Sequence, residues 1–188
     1  MKRLKVPFLT SAPLADEDQL KSQWMKQPGP KDPLKLAEML ALAKAQSLQD
    51  LHPSQWIVGS DQLINLDGAI LGKQASFETA VAQLQRLSGR THQLITAVAL
   101  CKKGQSPICF TDITHITFLP LDEEEIKAYV SLEKPYDCSG SYKVESLGVR
   151  LMESIQTQDP TAIIGLPLIR LSKELRKLGY RLDPNPMA

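Results

Sequence analysis

At 188 residues, 43% hydrophobic and 23% charged, the chain has the size and composition of a globular protein with a core of its own. Its formal net charge of +1 supplies no general attraction for nucleic acid or an anionic membrane surface, so neither is expected as a partner. No apolar stretch is long enough to span a bilayer, and Met1-Lys2-Arg3-Leu4-Lys5 lacks the apolar centre of a signal peptide. Cys101, Cys109 and Cys138 are far apart, with no Cys-x-x-Cys pair. That spacing argues against a structural zinc site and for a reducing compartment, so the expected location is the cytoplasm.

Residues 1–8 are basic, and Pro7 disfavours a regular helix there. Residues 9–33 are turn-rich and end Gln-Pro-Gly-Pro-Lys-Asp-Pro, which predicts an extended loop with Asp16-Glu17-Asp18 as a solvated acidic trio. Asp32 before Pro33 is a helix start, and Leu36, Leu40 and Ala43 share one face, widened by Leu34, Ala37, Ala41 and Leu48. Lys44 lies in this apolar stretch. Such a lysine either runs its stem to water or points into a cleft to meet an anion. Ser76 caps a second helix with Ala80, Val81, Leu84 and Leu87 inward and Gly89 as its stop. Residues 93–100 and 107–119 read as strands around the polar turn Lys102-Lys103-Gly104-Gln105. Asp122 with Glu125 forms a capping box for a helix ending near Val130, so this acidic run is a helix start rather than a metal cluster. Residues 151–155 continue as strand or short helix until Asp159-Pro160, and a last helix carries Leu168, Leu171, Leu175 and Leu178 inward before Gly179.

The stretch from Trp56 to Lys73 holds the candidate chemistry. Trp56-Ile57-Val58 reads as a buried strand stopping at Gly59-Ser60-Asp61, which puts Asp61 at a strand's carboxyl end, where α/β proteins bind ligands. Leu66-Asp67-Gly68-Ala69 is a hairpin turn that returns Gly72-Lys73 towards that strand. A carboxylate (Asp61), an amide (Gln62) and an ammonium (Lys73) converging there suit a metal-assisted reaction on a phosphate ester. The same tetrapeptide, Val-Gly-Ser-Asp, also ends strands that carry no chemistry. A Walker loop is excluded, because Gly68-Ala69-Ile70-Leu71-Gly72-Lys73 is one residue short and Gln74 replaces Ser/Thr. A second stretch, Cys138-Ser139-Gly140-Ser141-Tyr142-Lys143-Val144-Glu145, has small residues that allow a ligand close to the backbone, or form a plain surface loop.

Three segments together resemble the Maf family of nucleoside triphosphate pyrophosphatases. They are Gly59-Ser60-Asp61-Gln62 through Gly72-Lys73 with Leu87-Ser88-Gly89-Arg90-Thr91-His92 and Thr96; Leu121 with Glu125-Ile126 and Tyr129-Val130; and Cys138 through Lys143 with Gly148, Asp159 and Gly165-Leu166-Pro167-Leu168. The resemblance implies a two-lobed α/β fold over residues 1–188, built on a mixed sheet flanked by helices, with the nucleotide between the lobes. It implies cleavage between the α and β phosphates with a divalent cation, Mg or Mn, and it suggests a homodimer. Asp61 looks like the general base, and Lys44 and Lys73 look like the groups facing the phosphates. Gln62 and Glu145 are similar to the branch acting on 7-methyl-GTP. A carboxylate suits that base because it accepts hydrogen bonds from the guanine edge and offsets the methylated ring's positive charge. Metal candidates are Asp16, Glu17 and Asp61, since Leu14 stands where the family commonly has a glutamate. Gln74 and Ser139 replace the family's usual Pro and Ala.

The family opens with a strand and a Ser-x-Ser-x-x-Arg phosphate loop, whereas Met1 to Phe8 resembles the segment that follows them. The expectations are therefore that Met1 is an internal methionine, that an N-terminal strand is missing from the sheet, and that turnover is reduced. The rival expectation to an enzyme is a catalytically impaired nucleotide-binding protein in cell-division control. A third is an interaction domain without ligand.

Overall fold

The computed structural model describes residues 1–181. Five helices are α1 (Glu17–Lys26), α2 (Pro33–Gln46), α3 (Phe77–Leu87), α4 (Glu123–Glu133) and α5 (Leu168–Lys177). Five strands are β1 (Ile57–Leu66), β2 (Ala69–Leu71), β3 (Thr91–Cys101), β4 (Ile108–Phe118) and β5 (Met152–Gln156), in the sheet order β2-β1-β3-β4-β5. The α/β class expected from the sequence is borne out. The sheet direction needs correcting: all four described pairings are antiparallel, not mixed. The connections explain it. A two-residue turn, with Asp67 and Gly68 both at positive φ, folds β2 back on β1. Strand β2 is too short to carry the chain away, so α3 delivers β3 beside the end of β1, where Asn65 faces Gln93 and its amide donates to the Gln93 side chain at 2.8 Å.

The two sheet faces are covered differently. Helix α2 lays Leu36, Ala37, Leu40, Ala41 and Ala45 on Leu63, Ile95, Ala97, Ala99 and Cys101. Alanines bring it close, and Gly59 completes the fit: a Cβ there would collide with the Ala41 carbonyl and the Ala45 amide. On the other face, α3 and α4 bury Ala80, Leu84, Ile126 and Val130 against Ile64, Leu94, Ile116 and Phe118. Leu168, Leu171 and Leu175 of α5 cover Val98, Leu100 and Phe110 at its far end. Between these two groups the face carries Ser60, Gln62 and Thr96, and residues 162–165 close over them. Ser60 donates to the Gly165 carbonyl (2.9 Å), and Gln62 and Thr96 both donate to that of Ala162 (3.0 and 3.2 Å).

Two sequence expectations change here. Strand β1 does not stop at Gly59–Asp61 but runs on to Leu66, with Asp61 paired to Ala97 in mid-strand. The acidic trio is not a loop: Asp16 caps α1 by accepting from the Gln19 amide at 2.9 Å, and Glu17 and Asp18 form its first turn. Asp16 followed by Gln19, with Leu20 and Trp24 packed against the α2 cluster, was the readable signal for that helix. Strand β2 covers β1 only over Ile64–Leu66. Residues 57–63 have no strand on that outer side among the described residues. No helix in the described part is long and apolar enough to cross a membrane.

Candidate active site

The outer edge of β1 is where the two faces meet, and a cleft of about 350 Å³ lies there. Its walls include Glu17 and Lys21 of α1, Lys44 of α2, Asp61 and Gln62 of β1, Lys73, and the segments 137–145 and 163–165. A larger hollow of about 910 Å³, between residues 1–11 and Trp56–Val58, includes His52 in its lining but no carboxylate. The smaller cleft is the candidate site.

Asp61 faces α2, on the same side of β1 as Gly59 and Leu63, and is 7% exposed. Its Oδ1 accepts from the Lys44 ammonium at 2.7 Å, and its Oδ2 is buried without a hydrogen-bond partner. Burial holds the carboxyl above its ordinary value even though Lys44 pulls it down. Burial likewise depresses the Lys44 ammonium, but hydrogen bonds and charge from Asp61 and Glu17 more than offset this and raise it. Glu17 lies 3.1 Å from Lys44. One ammonium therefore sits between two carboxylates, and a raised-pKa carboxylate presents an unused oxygen. Such an oxygen can take a proton from water or bind a cation.

The structure brings Asp61, Lys44, Gln62, Lys73 and Glu145 to one cleft. Gln62 has a structural tie as well: its amide nitrogen donates to the Thr96 hydroxyl (2.9 Å) and to the Ala162 and Ile163 carbonyls. Glu17 lines the cleft, whereas Asp16 is occupied as a helix cap and does not. Sequence reasoning did not place Lys21 or Asp137 there, whereas Tyr142, part of the second candidate stretch, is the one aromatic side chain of the lining among the described residues. Asp159 of the third motif and the nearby Thr161 act as scaffold. Asp159 accepts from the amides of Ile169 (2.7 Å) and Arg170 at the start of α5, and from the Thr161 hydroxyl (2.6 Å).

Charge decides whether a cation fits. The lining carries Lys21, Lys44 and Lys73 against Glu17, Asp61, Asp137 and Glu145. With carboxylates in excess, a polyphosphate needs further positive charge to enter. Glu17 and the unpartnered Oδ2 of Asp61 are hard oxygen donors of the type that could hold a divalent cation. Among the described residues, no group of three or more His, Cys, Asp or Glu forms a metal cage without such a substrate.

Residues 1–178 match the family described as Maf-like protein. The chain belongs to the Maf family. Among its relatives, a 7-methyl-GTP pyrophosphatase of Bordetella avium is 43% identical over 98% of this chain and 88% of its own length. Proteins of the same name from Cupriavidus metallidurans and Xanthomonas campestris are each 40% identical over 96% of this chain, covering 87% and 90% of theirs. The Maf resemblance read from the three motifs is thus borne out across nearly the whole chain.

Proposed function

We propose that this chain is a nucleoside triphosphate pyrophosphatase acting on 7-methyl-GTP or a related modified nucleotide. The reading is carried by the unpartnered Asp61 oxygen beside Lys44 in a cleft that also holds Lys73 and Glu145. It is supported by relatives of 40–43% identity that bear that name. Asp61 accepts a proton from water as the water oxygen bonds to phosphorus, and the bond between the α and β phosphates breaks to give the monophosphate and pyrophosphate. Lys73 and Lys44 offset charge on the phosphates. Glu17 and Asp61 would hold the divalent cation, which supplies charge neutralisation at the phosphate oxygens. Glu145, an exposed residue of the cleft lining, meets the guanine edge and its positive methylated ring, and Gln62 contributes to the same lining.

The proposal takes residues 1–188 as one two-lobed domain in the cytoplasm, in keeping with its three free cysteines. The homodimer rests on the family resemblance and is read directly by sedimentation.

The test is pyrophosphate release with Mg or Mn, comparing 7-methyl-GTP, GTP, dTTP and UTP. The expected result is release fastest from 7-methyl-GTP and abolished by chelator. Equal rates on all four would refute the substrate assignment. Binding without release would favour the impaired nucleotide-binding protein.

A further inference from the structure

Gln83 is a polar residue in the middle of an apolar stripe. Its neighbours on α3, Ala80, Val81, Leu84 and Leu87, are all buried, and Gln83 itself is only 5% exposed. A buried amide is tolerated where both of its ends find partners. Here Nε2 donates to the Gly72 carbonyl at 3.1 Å, and Oε1 accepts from the Ser141 hydroxyl at 2.7 Å.

Each partner belongs to a different wall of the cleft. Gly72 precedes Lys73, on an exposed segment without regular structure between β2 and α3. Ser141, fully buried, ends the turn that runs from Ser139 into Tyr142, and both of those line the cleft. That turn is strained: Gly140 and Ser141 have φ of 77° and 60°, the left-handed region a serine rarely adopts. It also packs tightly, since a Cβ on Gly140 would run into Ile64 and Tyr142. Neither segment is held by a strand ladder, so the Gln83 amide is a direct tether between them.

We infer that Gln83 is a positioning residue: by joining Gly72 to Ser141 it sets the distance between Lys73 and the wall that carries Ser139, Tyr142 and Glu145. Lys73 and Glu145, which line the same cleft, are thereby held relative to one another. The kinetic consequence rests on the proposed function, but the mechanical link does not.

Two variants sever the link from opposite sides: Gln83→Leu, which keeps the bulk, and Ser141→Ala, which leaves Gln83 in place. Hydrogen exchange read by mass spectrometry on the full chain should show residues 72–76 and 138–146 exchanging faster together in both variants, with β3 and β4 unchanged. Loosening of one segment alone, or of neither, overturns the link. Should Gln83→Leu lose protection throughout the sheet, it has unfolded and Ser141→Ala carries the test. In steady-state kinetics on 7-methyl-GTP, KM should rise roughly five- to tenfold while kcat falls less than about threefold, as expected for misplaced binding groups. Joint loosening with unchanged KM would reduce Gln83 to a structural role and overturn the positioning. If the wild-type chain hydrolyses no triphosphate, the functional proposal fails, and the exchange result still decides the link.

Discussion

Lys44→Met is the sharpest perturbation of the site, because it removes the cation that contacts the buried Asp61 carboxylate while keeping the length of the side chain. Lys44 lies 2.7 Å from Asp61 and 3.1 Å from Glu17, and its side chain is 19% exposed. Two unit charges at that first distance attract by about 6 kcal/mol at an effective dielectric of 20, most of which desolvation of the pair offsets. Removing one partner of a fully buried pair costs about 3–5 kcal/mol, since the other charge is left uncompensated. Partial exposure of Lys44 brings the expectation to about 2–3 kcal/mol near pH 7, a fall in Tm of roughly 4–12 °C for a chain of this size. The sign of the pH dependence follows from Asp61. Its folded pKa already lies above its ordinary value of 3.8, so the native state holds the proton more tightly than the unfolded chain. Stability from that group is complete below 3.8 and is lost as pH rises through the raised pKa. Without Lys44 the pKa rises further and the loss deepens. Thermal melts of both proteins from pH 4 to pH 8 should therefore show the widest gap at neutral pH, closing as Asp61 protonates. A gap that stays constant across the range would refute the reasoning.

Three other outcomes follow from buried titratable groups. Asp61→Asn should lower kcat by roughly 10²–10⁴ in the pyrophosphate assay, while circular dichroism stays native. Wild-type activity should fall on acidification at a pH above the ordinary carboxylate value, because burial raises Asp61. Unchanged turnover in the variant would remove Asp61 from the chemistry. His92 is 2% exposed, bonds the Tyr142 hydroxyl at 2.9 Å, and is pushed down by burial to about 4. Its neutral form is the one the core accepts, so its contribution is complete above pH 6.5 and is lost as pH falls towards 4. Urea unfolding of His92→Leu should show a flatter dependence on pH in that window, and a slope equal to wild type would contradict the assignment.

The legible parts of the chain were those governed by neighbours in sequence. The capped start of α2 at Asp32-Pro33, the Ser76 cap of α3, the capping box of α4, and the turn at Asp67-Gly68 are local hydrogen-bond and φ choices, and each stands where the sequence put it. The inward faces of α3 and α5 were readable because burial follows helical period. Asp61 and Lys73 could be brought together because a single tight turn joins β1, which carries Asp61, to β2, which Lys73 follows by two residues. The end of β1 was misread because Gly59 was taken for a breaker. Its reason is instead the close approach of Ala41 and Ala45, from a helix more than ten residues upstream.

By itself the sequence determined the types of most elements, helix α1 excepted, together with the Maf membership and the identity of the candidate acid and lysines, since motif and periodicity are properties of the chain. Only the tertiary structure decided the antiparallel sheet, the choice of Lys44 to face Asp61 rather than water, and the recruitment of Glu17 from a helix end to the same ammonium. It alone decided that Gln83 joins two walls of the cleft. Those are long-range pairings, and their partners are chosen by which faces the sheet buries and how little water is left between them.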